Sequence, residues 1–517
     1  MGIFRTFRFR LCVAVLVCAL PGLTAFSAPA AAQSSKQAKE KSAASATSPK
    51  KPQSQNLNLP PLPPPAHVEQ SMQLDGKTLH YTVTVGAMSV RDPVTGKVVG
   101  KVVVTSYTMA GKNRPVTFAI NGGPGASSAF LNLGAIGPKH VNFGNKGESP
   151  SETPALTDNP ATWLSFTDLV FIDPIGTGFS RSLVPLAQAK KLFYSTDPDI
   201  HYLSRVIYKW LVKNGRLDSR KYIVGESYGG FRAPRIAYYL QSQLGVGMSG
   251  EVLISPYLNP TLMQHGDVSP LPWIITLPSI VAAHLERENK LTPAAMSSVI
   301  SYAMGPYATA LLEGRSNPAA TQQMIQQVTE LTGLNPTFVK NSGGRISPEA
   351  YLREEYRNKD KLGSIYDSNV TSYDPFPFAP QQRANDPILA AVIAPLTSAM
   401  VNFDTQTVGW KVDAPYYTLN YQIANIWKGG PQLRAGSVTQ LRQAVAADPN
   451  MWVFIAHGWN DLVCPFMGSL ITVNQIPAMG NPPRITVHEF PGGHMFYTRL
   501  DSRLALRKAV MAMYNKQ

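Results

Sequence analysis

The chain has 517 residues, 44% of them hydrophobic, a formal net charge of +15 and only three cysteines. Three cysteines exclude a disulfide-rich scaffold, so stability must come from a buried core, for which a chain of this length is ample. Net +7 of the charge falls before residue 67, leaving +8 for the remainder with no basic block interleaved with aromatics. That pattern argues for solubility or weak attraction to anionic envelope surfaces and against nucleic-acid binding.

Residues 1–32 read as a secretory signal peptide. Arg5, Arg8 and Arg10 form a basic start, Leu11 to Leu20 is apolar, and Ala28-Pro-Ala-Ala-Ala32 supplies an A-x-A cleavage site. The apolar run is about half the ~20 residues of a membrane span, so stable membrane insertion after cleavage is not expected. Cys12 and Cys18 leave with this segment, and Cys464 is then the single cysteine, unable to form an internal disulfide. A periplasmic or secreted bacterial protein suits this arithmetic. Residues 33–66, rich in Ser, Ala, Gln and Lys and ending in a proline run, have little to bury and read as a disordered tether.

From residue 67 to 517 short apolar runs alternate with helical patterns, the signature of an α/β fold with a mostly parallel central sheet. Leu79 to Val85 and Val99 to Tyr107 read as an opening antiparallel pair joined by turn chemistry at Arg91–Gly96. Strands follow at Val116–Ile120, Leu169–Ile172, Tyr222–Val224, Val252–Ile254, Trp452–Ala456 and Ile485–His488. Leu203, Val206, Ile207, Trp210 and Leu211 recur at helical spacing and read as core. The interval of about 259–447 lacks the strand rhythm. It holds helix starts at Thr292-Pro293, Asn317-Pro318 and Ser347-Pro348, and reads as a mainly helical cap over the sheet's C-terminal edge.

Between the third parallel strand and a helical pattern stands Gly225-Glu-Ser-Tyr-Gly229. A GxSxG alone fits an ordinary surface turn. Strand before and helix after make it a nucleophile elbow, with Ser227 at the apex and glycines where a Cβ would crowd the opposing arm. A serine hydroxyl needs a base, an acid and an oxyanion hole. Asp461 lies past the strand ending at Ala456, and His494 past the strand ending at His488, in the order Ser, acid, His that this sheet type uses. His457 precedes the acid and reads as structural. Tyr228 and Gly123, the latter in Asn121-Gly-Gly-Pro-Gly125 after another strand, supply the candidate oxyanion-hole N–H groups.

Four blocks then resemble the serine carboxypeptidase family of α/β-hydrolases: Asn121–Ser128, Asp173–Ser180, Gly225–Gly230 and Gly492–Met495, with a fifth, weaker one at Asn460–Cys464. The resemblance implies an α/β-hydrolase fold and removal of C-terminal residues through the triad, without metal or cofactor. It also implies that Asn121 and Glu226 hold the substrate's terminal carboxylate. Two carboxylates can bond only by sharing a proton, so such binding should weaken as pH rises. Departures are Ala126 in place of a cysteine, Ile120 before the asparagine, and Ala135 where a second acidic residue often stands. Cys464 is expected to be a buried packing thiol. The substrate class is a peptide or a small ester. The alternatives are an esterase or acyltransferase on the same triad and, less well matched, a catalytically silent binding protein on this fold. Oligomeric state is not legible.

Overall fold

Nine strands build the central sheet of this computed structural model, which describes residues 59–142, 156–263, 268–427 and 436–516. They are β1 (Ala66–Leu74), β2 (Lys77–Arg91), β3 (Val98–Thr108), β4 (Val116–Ile120), β5 (Asp168–Ile172), β6 (Lys221–Glu226), β7 (Gly250–Ile254), β8 (Trp452–Gly458) and β9 (Ile485–Phe490). Their spatial order is β1-β2-β3-β5-β4-β6-β7-β8-β9, and a two-residue strand, Arg181–Ser182, pairs with β3. β1 to β3 and the β3/β5 pair are antiparallel; every pair from β5 to β9 is parallel. The expected opening pair is β2 and β3. β1 was not foreseen: it is a half-exposed edge strand whose polar residues hide the alternation.

The parallel strands are apolar throughout because both faces are covered. Ala119, Tyr222 and Val224 face one core, while Phe118, Ile120 and Ile223 face the other. Each such fully buried large side chain contributes roughly 1.5–3 kcal/mol. The second core is closed by α1 (Thr196–Lys213), whose Leu203, Val206, Ile207, Trp210 and Leu211 are all buried, and by α2 (Tyr228–Leu244). Register aligns the C-terminal ends: Ile120 pairs with Gly225, Glu226 with Ile254, and Ile254 with Ala456. Four loops therefore leave the sheet at one level, which is what gathers the candidate site.

The interval 259–447 departs from a single cap. Its first part, α3 (Leu271–Arg287), α4 (Pro293–Tyr302), α5 (Pro318–Thr332) and α6 (Pro348–Tyr356), forms a separate apolar core with Trp459, Leu462, Phe466 and Met467. The three expected helix starts fall where the sequence puts them. Thr292, Asn317 and Ser347 accept from Ala295, Ala320 and Ala350 N–H, with proline at the first helical position. The later part belongs to the body of the domain. α7 (Pro387–Asn402) buries Ile388, Val392, Leu396, Ala399 and Met400 in the first sheet core, and α8 (Val438–Ala447) packs on α2. The buried apolar side chains of those helices belong to the two sheet cores and not to the outer helical one, so they cover the sheet itself.

The signal peptide expected at 1–32, and the tether as far as residue 58, lie outside the described residues. Over Leu59–Pro65 the reading of a free tether is corrected. The Pro64 carbonyl accepts from Trp410 Nε1 at 3.0 Å, the Pro60 carbonyl from Arg181 at 2.5 Å, and Leu62 packs on the core.

Candidate active site

Ser227 follows the last residue of β6 and precedes the first of α2, with φ 59° and ψ −122°. A serine in that region costs on the order of 1–3 kcal/mol and persists only where its surroundings enforce it. Here they do. The Ser227 N–H donates to the Ile254 carbonyl at 3.0 Å, and its carbonyl accepts from Gly230 and Tyr257 N–H, both at 2.9 Å. A Cβ on Gly225 would come within 2.1 Å of the Gly229 carbonyl oxygen, as the turn requires. One on Gly229 would instead meet the Ile120 carbonyl oxygen at 2.2 Å. The second glycine is therefore demanded by the neighbouring strand, not by the opposing arm.

His494 and Asp461 come together: His494 Nδ1 and Asp461 Oδ2 are 2.8 Å apart, both residues buried. Asp461 Oδ1 accepts the N–H groups of Val463 at 2.8 Å and Cys464 at 2.9 Å, which fixes the carboxylate plane. Burial pushes the His494 imidazolium down, but the Asp461 charge and hydrogen bond, with Glu226 behind, outweigh it and leave the group above its ordinary value. The histidine loop is pinned by Ser255, whose hydroxyl donates to the His494 carbonyl at 2.8 Å, and by Tyr366, whose carbonyl accepts the His494 N–H at 2.5 Å. The Tyr366 ring stands edge-on to the imidazole, 5.4 Å between centroids. His457 Nε2 is bonded to Ser469 Oγ at 2.8 Å, and burial pushes it down to about 4. Cys464 is buried and free, and burial pushes its thiol well up.

Asn121-Gly-Gly-Pro-Gly125 lies directly over the elbow. A Cβ on Gly122 would be 2.4 Å from the Tyr228 nitrogen and 2.9 Å from that of Gly229, so only glycine lets the two loops touch. The Gly123 and Tyr228 N–H groups lie on facing loops, and neither has an acceptor among the described residues. Segment 416–420, from the later insertion, clasps this loop from outside. Ser127 N–H donates to the Thr418 carbonyl at 2.9 Å, and Asn420 N–H to that of Gly125 at 2.8 Å. The Asp173–Ser180 block is a buttress: Asp173 Oδ1 accepts the Ser128 N–H at 2.8 Å, and Ser180 Oγ donates to the Asp173 carbonyl at 2.7 Å.

Glu226 is buried beside the serine. Its Oε2 accepts from Asn121 Nδ2 at 2.6 Å and its Oε1 from the Tyr497 hydroxyl at 2.8 Å. Burial pushes its carboxyl up to about 7, with Asp461 adding to the rise and His494, Tyr497 and Asn121 opposing it. Ala135 is buried in the turn Asn132–Ile136, its carbonyl accepting from Asn159 Nδ2 at 2.9 Å.

Sequence reasoning missed three supports. Arg232 of α2 ion-pairs with buried Asp199 of α1 at 2.6 Å and donates to the Asn121 carbonyl at 2.7 Å. Arg499, past the histidine loop, reaches Asp367 at 2.7 Å and also ion-pairs with Glu286 of α3; Glu286 accepts from Asn460, the neighbour of Asp461, at 2.5 Å. Tyr497 is the third. Only for Arg232 was there a signal, a charged residue on an otherwise buried helix face.

Sheet order, elbow and loop level together define an α/β-hydrolase fold. The crystal structure of Kex1(Δ)p, a prohormone-processing carboxypeptidase from Saccharomyces cerevisiae, matches it with a TM-score of 0.53 at 16% identity, over 84% of this chain and 92% of that one. Within that fold the chain is related to the serine carboxypeptidase family, whose model matches residues 103–268. A pheromone-processing carboxypeptidase kex1 of Sclerotinia sclerotiorum is 34% identical over 137 residues, 25% of this chain and 18% of that protein. Carboxypeptidase S1 of Penicillium janthinellum is 30% identical over 140 residues, 27% and 30% of the two chains. The aligned segments span 18% to 36% of the curated relatives' lengths. The family match carries Asn121, Asp173 and Ser227; Asp461 and His494 lie beyond it.

Proposed function

We propose that this protein is an exported serine-type carboxypeptidase. Ser227 Oγ attacks the carbonyl carbon of the last peptide bond while His494 takes its proton, and Asp461 holds the imidazole tautomer and stabilises the imidazolium. The Gly123 and Tyr228 N–H groups receive the oxyanion. His494 then returns the proton to the leaving amine, and water, deprotonated by the same histidine, releases the acyl-enzyme. Asn121 and Glu226 hold the terminal carboxylate of the residue being removed. None of these steps calls for a metal or cofactor.

The observation that carries this reading is the Asn121–Glu226 pair, 2.6 Å apart and buried directly before the strained serine. An esterase needs the triad but has no use for a proton-sharing carboxyl held there. Export rests on residues 1–32, whose basic start, apolar run and A-x-A site suit a signal peptide, with a periplasmic or secreted destination.

The test is mass spectrometry of a peptide mixture after incubation. Ladders shortened from the C-terminus are expected. Internal cuts would sink the proposal, and intact peptides alongside a hydrolysed p-nitrophenyl ester would move the assignment to an esterase or acyltransferase.

A further inference from the structure

Tyr497 stands three residues past His494, its ring buried and its main-chain carbonyl held by Arg503 at 2.9 Å. Its hydroxyl proton goes to Glu226 Oε1. A phenol has one proton to give, and an un-ionised phenol facing a carboxylate donates it. The other carboxylate oxygen faces the Asn121 amide, whose orientation is set because its Oδ1 already accepts the Leu131 N–H at 3.0 Å. Both oxygens of an ionised Glu226 thus meet donors only, and on the Oε2 side, where the Asn121 amide presents its nitrogen, no described residue offers an acceptor for a proton of the carboxyl's own. The first acceptor it can meet is one brought by a substrate. Oε1 points to the buried turn Phe496–Thr498, which packs on the turn Asn132–Ile136, where Ala135 presents only a methyl group. Oε2 points to the Asn121 loop that fronts Ser227.

The geometry points to Tyr497 as a positioning residue that reserves Oε1 as an acceptor, so that Oε2 is the oxygen that shares a proton with a substrate's terminal carboxylate. This rests on the carboxypeptidase reading and deepens it. The recognised ligand is a free α-carboxylate, and the selectivity for it is set by a phenol as well as by the Asn121–Glu226 pair. The other titratable groups facing Glu226 are His494, Asp461 and Cys464, all buried with it.

Donation from Tyr497 favours the ionised form of Glu226, so removing it lets the protonated, carboxylate-binding form survive to higher pH. The experiment is the pH profile of kcat/KM for a blocked dipeptide with a free carboxylate and for its amide, in the parent enzyme and in Tyr497→Phe. For the free acid, the alkaline limb should move up by about one pH unit in the variant, the size expected for a hydrogen bond to a charged group. The amide profile should keep its shape. A variant that loses activity equally on both substrates, with the limb unmoved, overturns the inference and leaves the carboxypeptidase reading intact. A parent enzyme that does not distinguish acid from amide overturns both. Should Tyr497→Phe fail to fold, 3-fluorotyrosine at position 497 gives the opposite sign: its more acidic hydroxyl is a stronger donor and should move the limb down. An unmoved or rising limb there overturns the inference.

Discussion

Arg232 Nη1 donates to the main-chain carbonyl of Asn121 at 2.7 Å while its Nε holds Asp199 at 2.6 Å, with all three residues buried. One guanidinium on the helix behind Ser227 therefore holds the loop in front of it. Replacing Arg232 by Met leaves Asp199 buried without its counter-charge. We expect a loss of about 3–5 kcal/mol in denaturant unfolding, with much of it recovered in the double variant Asp199→Leu/Arg232→Met. Recovery of stability without recovery of kcat/KM would show the separate contribution of the Asn121 bond. Full recovery of both would argue that the guanidinium does nothing for the loop.

Asp461→Asn should keep the fold and lose the chemistry. Its Oδ1 can still accept the Val463 and Cys464 N–H groups. That presents the amide nitrogen to His494 Nδ1 and forces the wrong tautomer. A fall in kcat of about 10⁴-fold with an unchanged melting temperature is expected. Parallel loss of melting temperature would mean that the carboxylate serves the loop more than the histidine.

The Arg499 cluster ties three separate pieces of chain: α3 through Glu286, the 364–370 loop through Asp367, and the acid loop through Asn460. Arg499→Met should loosen Asp461 and His494 relative to Ser227 without touching any of them. Displacements of about 1 Å cost up to ~10²-fold in rate. We therefore expect kcat and the rate of fluorophosphonate labelling of Ser227 to fall together by about 10–100-fold. A change confined to KM would place the cluster in substrate binding instead.

Glu251, the second residue of β7, paired between Ile223 and Val453, is buried with no hydrogen-bond partner on either oxygen among the described residues. Burial pushes its carboxyl up to about 8. In the unfolded chain it ionises above its ordinary value of 4.5, so between those limits unfolding releases a proton. Stability present at low pH is therefore lost as pH rises through about 8, at up to ~1.4 kcal/mol per unit. Glu226 contributes with the same sign up to about 7. Glu251→Leu should flatten this dependence and stabilise the protein at pH 8 by a few kcal/mol, read from urea midpoints at pH 5 and pH 8. An unchanged slope would mean that Glu251 is ionised in the folded state.

Much of the fold was legible because its signals are local. Continuous apolar runs mark strands covered on both faces, and Thr292-Pro293, Asn317-Pro318 and Ser347-Pro348 carry their own caps. β1 escaped because an edge strand with one solvated face keeps few large apolar residues. The interval 259–447 reads as a single cap because helical periodicity says that a face is buried, not against what. α5 and α7 each bury one face, yet Met324 and Val328 of α5 pack within the outer helical core and Val392 and Leu396 of α7 on the sheet.

The candidate site divides in the same way. Ser227 was readable from its own turn, because Gly225 and a strand-to-helix switch mark the bend within a few residues. Asp461 and His494 were readable from chain order, since a parallel sheet delivers its loops to one edge. The partners of Glu226 were not. Tyr497 lies 271 residues further along the chain, and its hydroxyl meets the carboxylate only because β6 and β9 end at one level of the same sheet. Hydrogen bonds between distant loops leave no periodicity and demand no special backbone at either end. By itself the sequence determined the parallel strands, the elbow and the chain order of Ser227, Asp461 and His494. Only the tertiary structure decided what faces each oxygen of Glu226.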